Sequence, residues 1–397
     1  MARTVDILPD LFDHPDMESE GTEAADTRAR YVMVGGFLGA GKTTAIQAFA
    51  QHLTDAGQRV GLITNDQGVG LADSAIGRSN HFPVEEIGGG CFCCRFNSLI
   101  DAARNLTAES RPDVLLAEPV GSCTDLVATV ALPLQKIYGA DYSIAPFCVL
   151  IDPVRALRVL ELEEGKRFSP NVRYIYRKQL EEADAIVINK LDLLEAEPQR
   201  LEVLRAGLAE QFPGRRVFEI SARAGDGMAE WFDWTLAETD HSGSPLEIDY
   251  NRYGEGEALL GWLNATLHLE PSGDGEFDGN QLLRDFASSL RQTMTDAGSE
   301  VAHLKMTLTP KHDAFELGAI NLVRDDAEPE LSHRLIEPLD DGELLLNIRA
   351  EAAPETLEAA LQKALSSTLE KQYALTVVIP HLEHFRPGMP NPTHRLN

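Results

Sequence analysis

Long apolar runs are missing from this chain: no stretch approaches the roughly 20 apolar residues that a membrane-spanning helix needs. Residues 1–10 carry acids and a proline where the apolar centre of a secretory leader would stand, so no leader is expected. Cysteine is scarce as well. There are five, an odd number, and three of them fall within four positions. That spacing suits metal ligation in a reducing compartment and excludes a disulfide framework, which makes a cytoplasmic protein the expectation. Positive charge is the third shortage: 35 Lys and Arg stand against 63 Asp and Glu, a net charge of -28. A field of that sign repels phosphate backbones and anionic lipid, so neither nucleic acid nor a membrane surface is an expected partner.

What is present is ordinary for folded protein. Apolar residues make up 43% of 397, enough for two or three domains with separate cores. Residues 1–29 are acidic and without apolar periodicity, and read as a flexible tail. Short apolar runs at 31–34, 59–64, 113–117, 146–151, 185–188 and 217–220 alternate with helical patterns. This predicts an α/β domain over 30–240, with a mostly parallel sheet covered by helices on both faces. Ligands of such sheets gather at the carboxyl ends of the strands. Glycine and proline over 241–256 read as a linker. Beyond it, strands at 259–269, 301–308, 314–323, 344–350 and 373–379 with helices at 281–294 and 354–371 predict a smaller α+β domain over 257–397, of split-βαβ kind.

Residues 36–43 read G-F-L-G-A-G-K-T, between a strand and a helix. Gly36, Gly39, Ala40 and Gly41 let the backbone turn its N–H groups onto phosphates, while Lys42 neutralises the β- and γ-phosphates. The Thr43 hydroxyl holds Mg²⁺, and Thr44 continues into the helix. Asn189-Lys190-Leu191-Asp192 follows a later strand. The Asp192 carboxylate suits the two N–H donors on one edge of guanine, which adenine lacks, so the expected nucleotide is GTP. Asn189 bonds the base, the Lys190 stem packs over its ring, and Ser221 and Ala222 form a second base loop. Glu118, in E-P-V-G at a strand end, is the expected Mg²⁺- or water-orienting acid. Asp66, in N-D-Q-G, belongs to a switch facing the γ-phosphate; Lys42, Glu118 and Asp66 make the expected catalytic set. Asp152 reads as structural.

Cys91, Cys93 and Cys94 lie between the switch and Glu118. Thiolates favour Zn²⁺, Cu⁺ and tetrahedral Co²⁺, and two or three of them leave the shell open, as suits an ion that must be released. The alternative is a redox-active thiol cluster without metal. Cys123 reads as a small loop residue with the capacity to ligate, Cys148 as core and His303 as a packed histidine. His381, His384 and His394 offer a second, exchangeable site, or a solvated terminal segment.

Together, G-G-F-L-G-A-G-K-T-T, C-F-C-C, E-P-V-G, N-K-L-D and S-A-R-A-G-D-G, with Gln179 and Ala183-Asp184, resemble the CobW branch of the P-loop GTPases over about residues 31–236. Relatives of that branch include the nickel-delivery proteins HypB and UreG. The resemblance implies a slow, Mg²⁺-dependent GTPase acting as a metallochaperone. Cys91, Cys93 and Cys94 would hold Zn²⁺ or Co²⁺ near the nucleotide, and hydrolysis would release it to a client metalloprotein. Glu118 and Gly121 match the family's E-x-x-G. Asp66 departs from the pattern, being shorter than the usual glutamate. A GTPase activator that remodels a metallo- or cofactor-dependent client without carrying metal is the competing expectation, and a nucleotide- or metal-dependent homodimer is compatible with either.

Overall fold

The computed structural model describes residues 28–65, 82–238, 245–312 and 316–396. Nearly all of the acidic segment expected over 1–29, and Asp66, Gln67 and Gly68 of the expected switch, lie outside the described residues.

Strand β1 (Ala29–Gly36) shows why a continuous apolar run marks the centre of such a sheet. Tyr31 and Met33 enter one core and Val32 and Val34 the other, since successive side chains point to opposite faces. Around it stand β2 (Val60–Asn65), β3 (Val84–Ile87), β4 (Val114–Glu118), β5 (Tyr142–Ile144), β6 (Cys148–Ile151), β7 (Ala185–Ile188) and β8 (Arg216–Glu219). Their order is β3-β2-β4-β1-β6-β7-β8, every pairing parallel; β5 pairs with the first half of β1, whose second half pairs with β6. Six of these strands match the apolar runs of the sequence. The other two do not: β3 reads V-E-E-I and β5 reads Y-S-I, and neither makes an apolar run.

Helices cover both faces. Phe49 and Leu53 of helix Lys42–Asp55 and Trp231 of helix Met228–Ala237 fill one core; Phe96 and Leu99 of Phe96–Ser110 and Tyr176 of Pro170–Glu182 fill the other. Full burial of each such side chain contributes about 1.5–3 kcal/mol. Among the described residues, no helix is long and apolar enough to cross a membrane.

The second sheet is antiparallel. Its strands are β9 (Leu260–Pro271), β10 (Glu300–Thr309), β11 (Gly318–Leu322), β12 (Glu330–His333), β13 (Gly342–Glu351) and β14 (Leu375–Phe385), in the order β12-β11-β10-β13-β9-β14. Helix Gly279–Asp296 links β9 to β10 with β13 lying between them, and helix Pro354–Ala364 links β13 to β14 with β9 between. That is the expected split-βαβ arrangement. Both helices cover one face through Leu283, Phe286, Leu290, Leu357 and Leu361. Buried Asn264, Lys305, Asn347 and Arg349 occupy the other.

The expected linker is shorter than its composition implied. Asp249 caps a helix over Tyr250–Leu259, accepting from the N–H groups of Asn251 and Arg252. Gly256 serves packing here and not a turn: a Cβ at that position would meet the Asn171 carbonyl oxygen at 2.6 Å, so glycine lets this helix lie against Pro170–Glu182.

Candidate functional site

Most of the expected nucleotide residues line a cavity of about 760 Å³ at the carboxyl ends of the parallel strands; Gly36, Ala40 and Ser221 are not in its wall. Gly41 has φ +90°, and a Cβ there would lie 2.4 Å from Asn189 Nδ2. The loop therefore needs glycine for its dihedral and for its contact. Buried Lys42 donates to the Gly36 carbonyl at 2.9 Å and stands 4.0 Å from Glu118. The Thr43 hydroxyl donates to Glu118 Oε1 at 3.1 Å. A hydroxyl and a carboxylate beside an ammonium form an oxygen-donor set suited to Mg²⁺ next to phosphate. Thr44 is exposed and lines the cavity.

Asn189 ties the base motif to the phosphate loop. Its Nδ2 donates to the Ala40 carbonyl at 2.9 Å, and its Oδ1 accepts from the Ala222 N–H at 3.0 Å. Ser221 donates to Asp192 Oδ1 at 2.7 Å, which orients the half-buried carboxylate. Lys190 donates to the Gly39 carbonyl at 2.6 Å and pairs with Asp152 at 3.1 Å. Burial pushes the Asp152 carboxyl up, but Lys190, Arg324 and Arg155 outweigh it and hold the group at about 2. Asp152 also caps the helix Pro153–Val159 through the Arg155 N–H, so its structural reading holds and gains an ionic part.

The polar face of the second sheet closes this cavity. Trp262, His303, Lys305, Asn347 and Arg349 line it together with the phosphate loop. Buried Arg155 staples the two sheets, donating to the Leu38 carbonyl at 2.6 Å and the Ala302 carbonyl at 3.0 Å. His303 bonds Asn321 at 3.3 Å, so it is packed and also faces the cavity.

The three clustered cysteines meet. The Cys91 sulfur lies 2.9 Å from that of Cys93 and 3.1 Å from that of Cys94, with 3.7 Å between the latter two. Side-chain contacts with Cys123, Cys93 and Cys94 hold the Cys91 thiol well below its ordinary range. The same contacts with Cys91, reinforced by burial, push Cys93 and Cys123 well up. The three clustered sulfurs make a donor set with the softness that Zn²⁺ requires.

Sequence reasoning missed the ties around this cluster. Asn65 Nδ2 donates to the Ile87 and Gly90 carbonyls at 2.8 and 2.7 Å, and its Oδ1 accepts from the Phe92 N–H at 2.8 Å. The terminal segment lies over the cysteines: the Asn391 N–H donates to the Cys94 sulfur at 3.3 Å and the Thr393 N–H to the Cys93 carbonyl at 2.8 Å. The three terminal histidines go separate ways. His394 stands edge-on to Phe96, His384 faces Glu358 and His381 faces Glu383, so they form no joint ligand set among the described residues. Cys148 is core, with burial pushing its thiol up to about 11.

Residues 30–219 match the family model described as CobW/HypB/UreG, nucleotide-binding domain. The chain is 32% identical over 163 residues to the zinc chaperone YeiR of Escherichia coli, covering 40% of this chain and 46% of that protein. It is 30% identical over 185 residues to the zinc chaperone CobW of a Sinorhizobium species, covering 41% and 51%. The chain thus spans about half the length of these curated relatives. Among solved structures, the hydrogenase maturation factor HypB of Archaeoglobus fulgidus is similar at 24% identity and a TM-score of 0.39, over 54% of this chain and 92% of that one. Family model, motif order and parallel sheet agree over residues 30–219, which match the nucleotide-binding domain of the CobW/HypB/UreG class.

Proposed function

We propose that this protein hydrolyses GTP and uses the nucleotide state to hold and release zinc, delivering it to a client metalloprotein. Gly36, Gly39, Ala40, Gly41, Lys42, Thr43 and Thr44 take the phosphates, and Asn189, Lys190, Asp192, Ser221 and Ala222 take the guanine. Thr43 and Glu118 would hold Mg²⁺, which supplies charge neutralisation at the β- and γ-phosphates when bound. Cys91, Cys93 and Cys94 hold the cargo ion. Zinc is favoured by the sulfur donors and by the zinc chaperones among the relatives, with cobalt the next metal in line.

One observation carries the coupling. Asn65 lines the nucleotide cavity and holds, through three hydrogen bonds, the loop that enters the cysteines. A nucleotide that shifts the end of β2 therefore shifts the thiols. Lys42 and Glu118 act at the reacting phosphate: the ammonium stabilises charge on it, and the carboxylate orients the hydroxyl of Thr43.

The test is zinc affinity by chelator competition, with a non-hydrolysable GTP analogue and Mg²⁺ compared with GDP and Mg²⁺. Tighter zinc with the triphosphate is expected, by about 10-fold or more, the span of ordinary coupling energies. Equal affinities would remove delivery and leave a GTPase that remodels its client without carrying metal.

A further inference from the structure

The antiparallel hairpin of β11 and β12 belongs to the second domain, yet its loop lines the nucleotide cavity beside Lys190, Asp192 and Ala222. Its contacts with the first domain are ionic. Asp152, buried just past the end of β6, is shared by two cations: Lys190 Nζ stands 3.1 Å from one carboxylate oxygen, and Arg324 Nη1 3.2 Å from the other. Lys190 belongs to the base motif and Arg324 to the hairpin, so one carboxylate joins them. The Lys190 ammonium also donates to the Gly39 carbonyl at 2.6 Å, and Val323 packs on Gly39, where a Cβ would come within 2.9 Å of its Cγ1. At the far end of the hairpin loop, Glu330 pairs with Arg223, the residue after Ala222. Lys190 on one side of the base site and residues 221–223 on the other are thus braced by the same hairpin. Burial opposes a charge on Asp152, and Lys190, Arg324 and Arg155 outweigh it. Without Arg324, Lys190 would be the one side chain paired with this buried charge among the described residues, and its ammonium would be drawn from the Gly39 carbonyl.

We propose that Arg324 and Glu330 are positioning residues of the nucleotide site, which act through Asp152 and Arg223 to hold Lys190 and the 221–223 loop where these grip guanine. The proposal rests on the reading of Asn189–Asp192 and Ser221–Ala222 as the guanine site, and it extends that site into the second domain. Retention of the nucleotide then depends on the docked hairpin. The two contacts differ in weight. Arg324 and Asp152 are buried, with side-chain exposures of 12% and 2%, so losing one partner leaves a charge poorly compensated. Arg223 and Glu330 are both more than half exposed, and their pair adds less. A third ionic contact ties the domains together without reaching the base. Lys166 of the first domain pairs with Glu300 at 3.1 Å and with Asp325, and touches neither Lys190 nor residues 221–223. It separates the brace on the base from docking as such.

The experiment is release of fluorescent GDP from the full chain, followed by stopped flow against excess unlabelled GDP. It compares the unaltered protein with Arg324→Gln, Arg324→Lys, Glu330→Gln and Lys166→Gln, and thermal unfolding reports folding in every case. Arg324→Met, which keeps the aliphatic stem, replaces the glutamine variant if that one does not fold. Arg324→Gln is expected to speed release by about 10-fold or more, and Arg324→Lys to recover most of the loss by keeping a cation on Asp152. Glu330→Gln is expected to speed release by no more than about 5-fold. Lys166→Gln should stay within about 2-fold of the unaltered rate, as a site with no shared partner. Release at the unaltered rate from folded Arg324→Gln would overturn the proposal. So would an equal acceleration by Lys166→Gln, which would make domain docking in general the cause. If the unaltered protein holds no guanine nucleotide, the GTP reading itself fails and the brace with it.

Discussion

Asn65 accepts the Phe92 N–H at 2.8 Å across 27 residues of sequence, joining the last residue of β2 to the middle of the C-x-C-C motif. Phe92 is fully buried, so its amide has no access to water as a substitute partner. Asn65→Ala strands this amide and two carbonyls, at about 1–3 kcal/mol for each buried group left without a partner. The expected result is a loss of nucleotide control: the ratio of zinc affinities with GTP analogue and with GDP collapses toward one. Chelator competition on the variant measures it, and an unchanged ratio would move the coupling elsewhere.

Gly41→Ala is the sharpest test of the nucleotide loop. The alanine would adopt φ +90° and press its Cβ on Asn189 Nδ2 at 2.4 Å. Left-handed backbone costs an ordinary residue about 1–2 kcal/mol before the clash is counted. A loss of at least about 10-fold in affinity for fluorescent GDP is expected, with circular dichroism unchanged. Full binding by the variant would contradict the assignment of this loop to the phosphates.

Stability should depend on pH through Glu182. The group is fully buried, accepting from the Thr124 hydroxyl at 3.0 Å and the Val127 N–H at 3.1 Å. Burial pushes its carboxyl up to about 8 against the pull of those hydrogen bonds. A folded value above the unfolded 4.5 means that the protonated acid contributes stability fully below that pH, and the contribution is lost as pH rises through about 8. Urea unfolding should therefore show stability falling by up to about 1.4 kcal/mol for each pH unit across that window. Glu182→Gln should flatten this component and be the more stable protein at pH 8. Parallel pH profiles for the two proteins would exclude the buried acid as its source.

The terminal segment should act as a cover on the thiols. Asn391 and Thr393 contact Cys94 and Cys93, and Arg395 pairs with Asp125 at 2.8 Å to hold the segment down. Deleting residues 388–397 is expected to speed zinc transfer to a chelator, roughly 10-fold, by exposing the half-buried Cys94. Stopped-flow release rates decide it; an unchanged rate would leave the segment without a gating part.

Local chemistry made the first domain readable from sequence. Apolar runs buried on both faces need no distant information, and the left-handed glycines of the phosphate loop leave a fixed spacing that survives in the letters alone. Even the split-βαβ order of the second domain follows from alternation and helix placement. The misreadings came where a residue type answers to two different causes. Gly256 looks like a turn former until the helix Pro170–Glu182 is seen against it, and β3, β5 and β12 (V-E-E-I, Y-S-I and E-L-S-H) carry polar residues where an apolar run would mark a strand.

Composition and spacing by themselves determined a nucleotide fold with a cysteine cluster, because those signals lie within a few residues of one another. Tertiary structure alone decided what surrounds the cluster. Asn65, Cys123, Glu257 and Asn391 come from four separate segments, and their meeting at Cys91–Cys94 leaves no mark on any local pattern. Contacts across tens to hundreds of residues depend on how the sheets and helices pack, and packing is a property of the assembled chain.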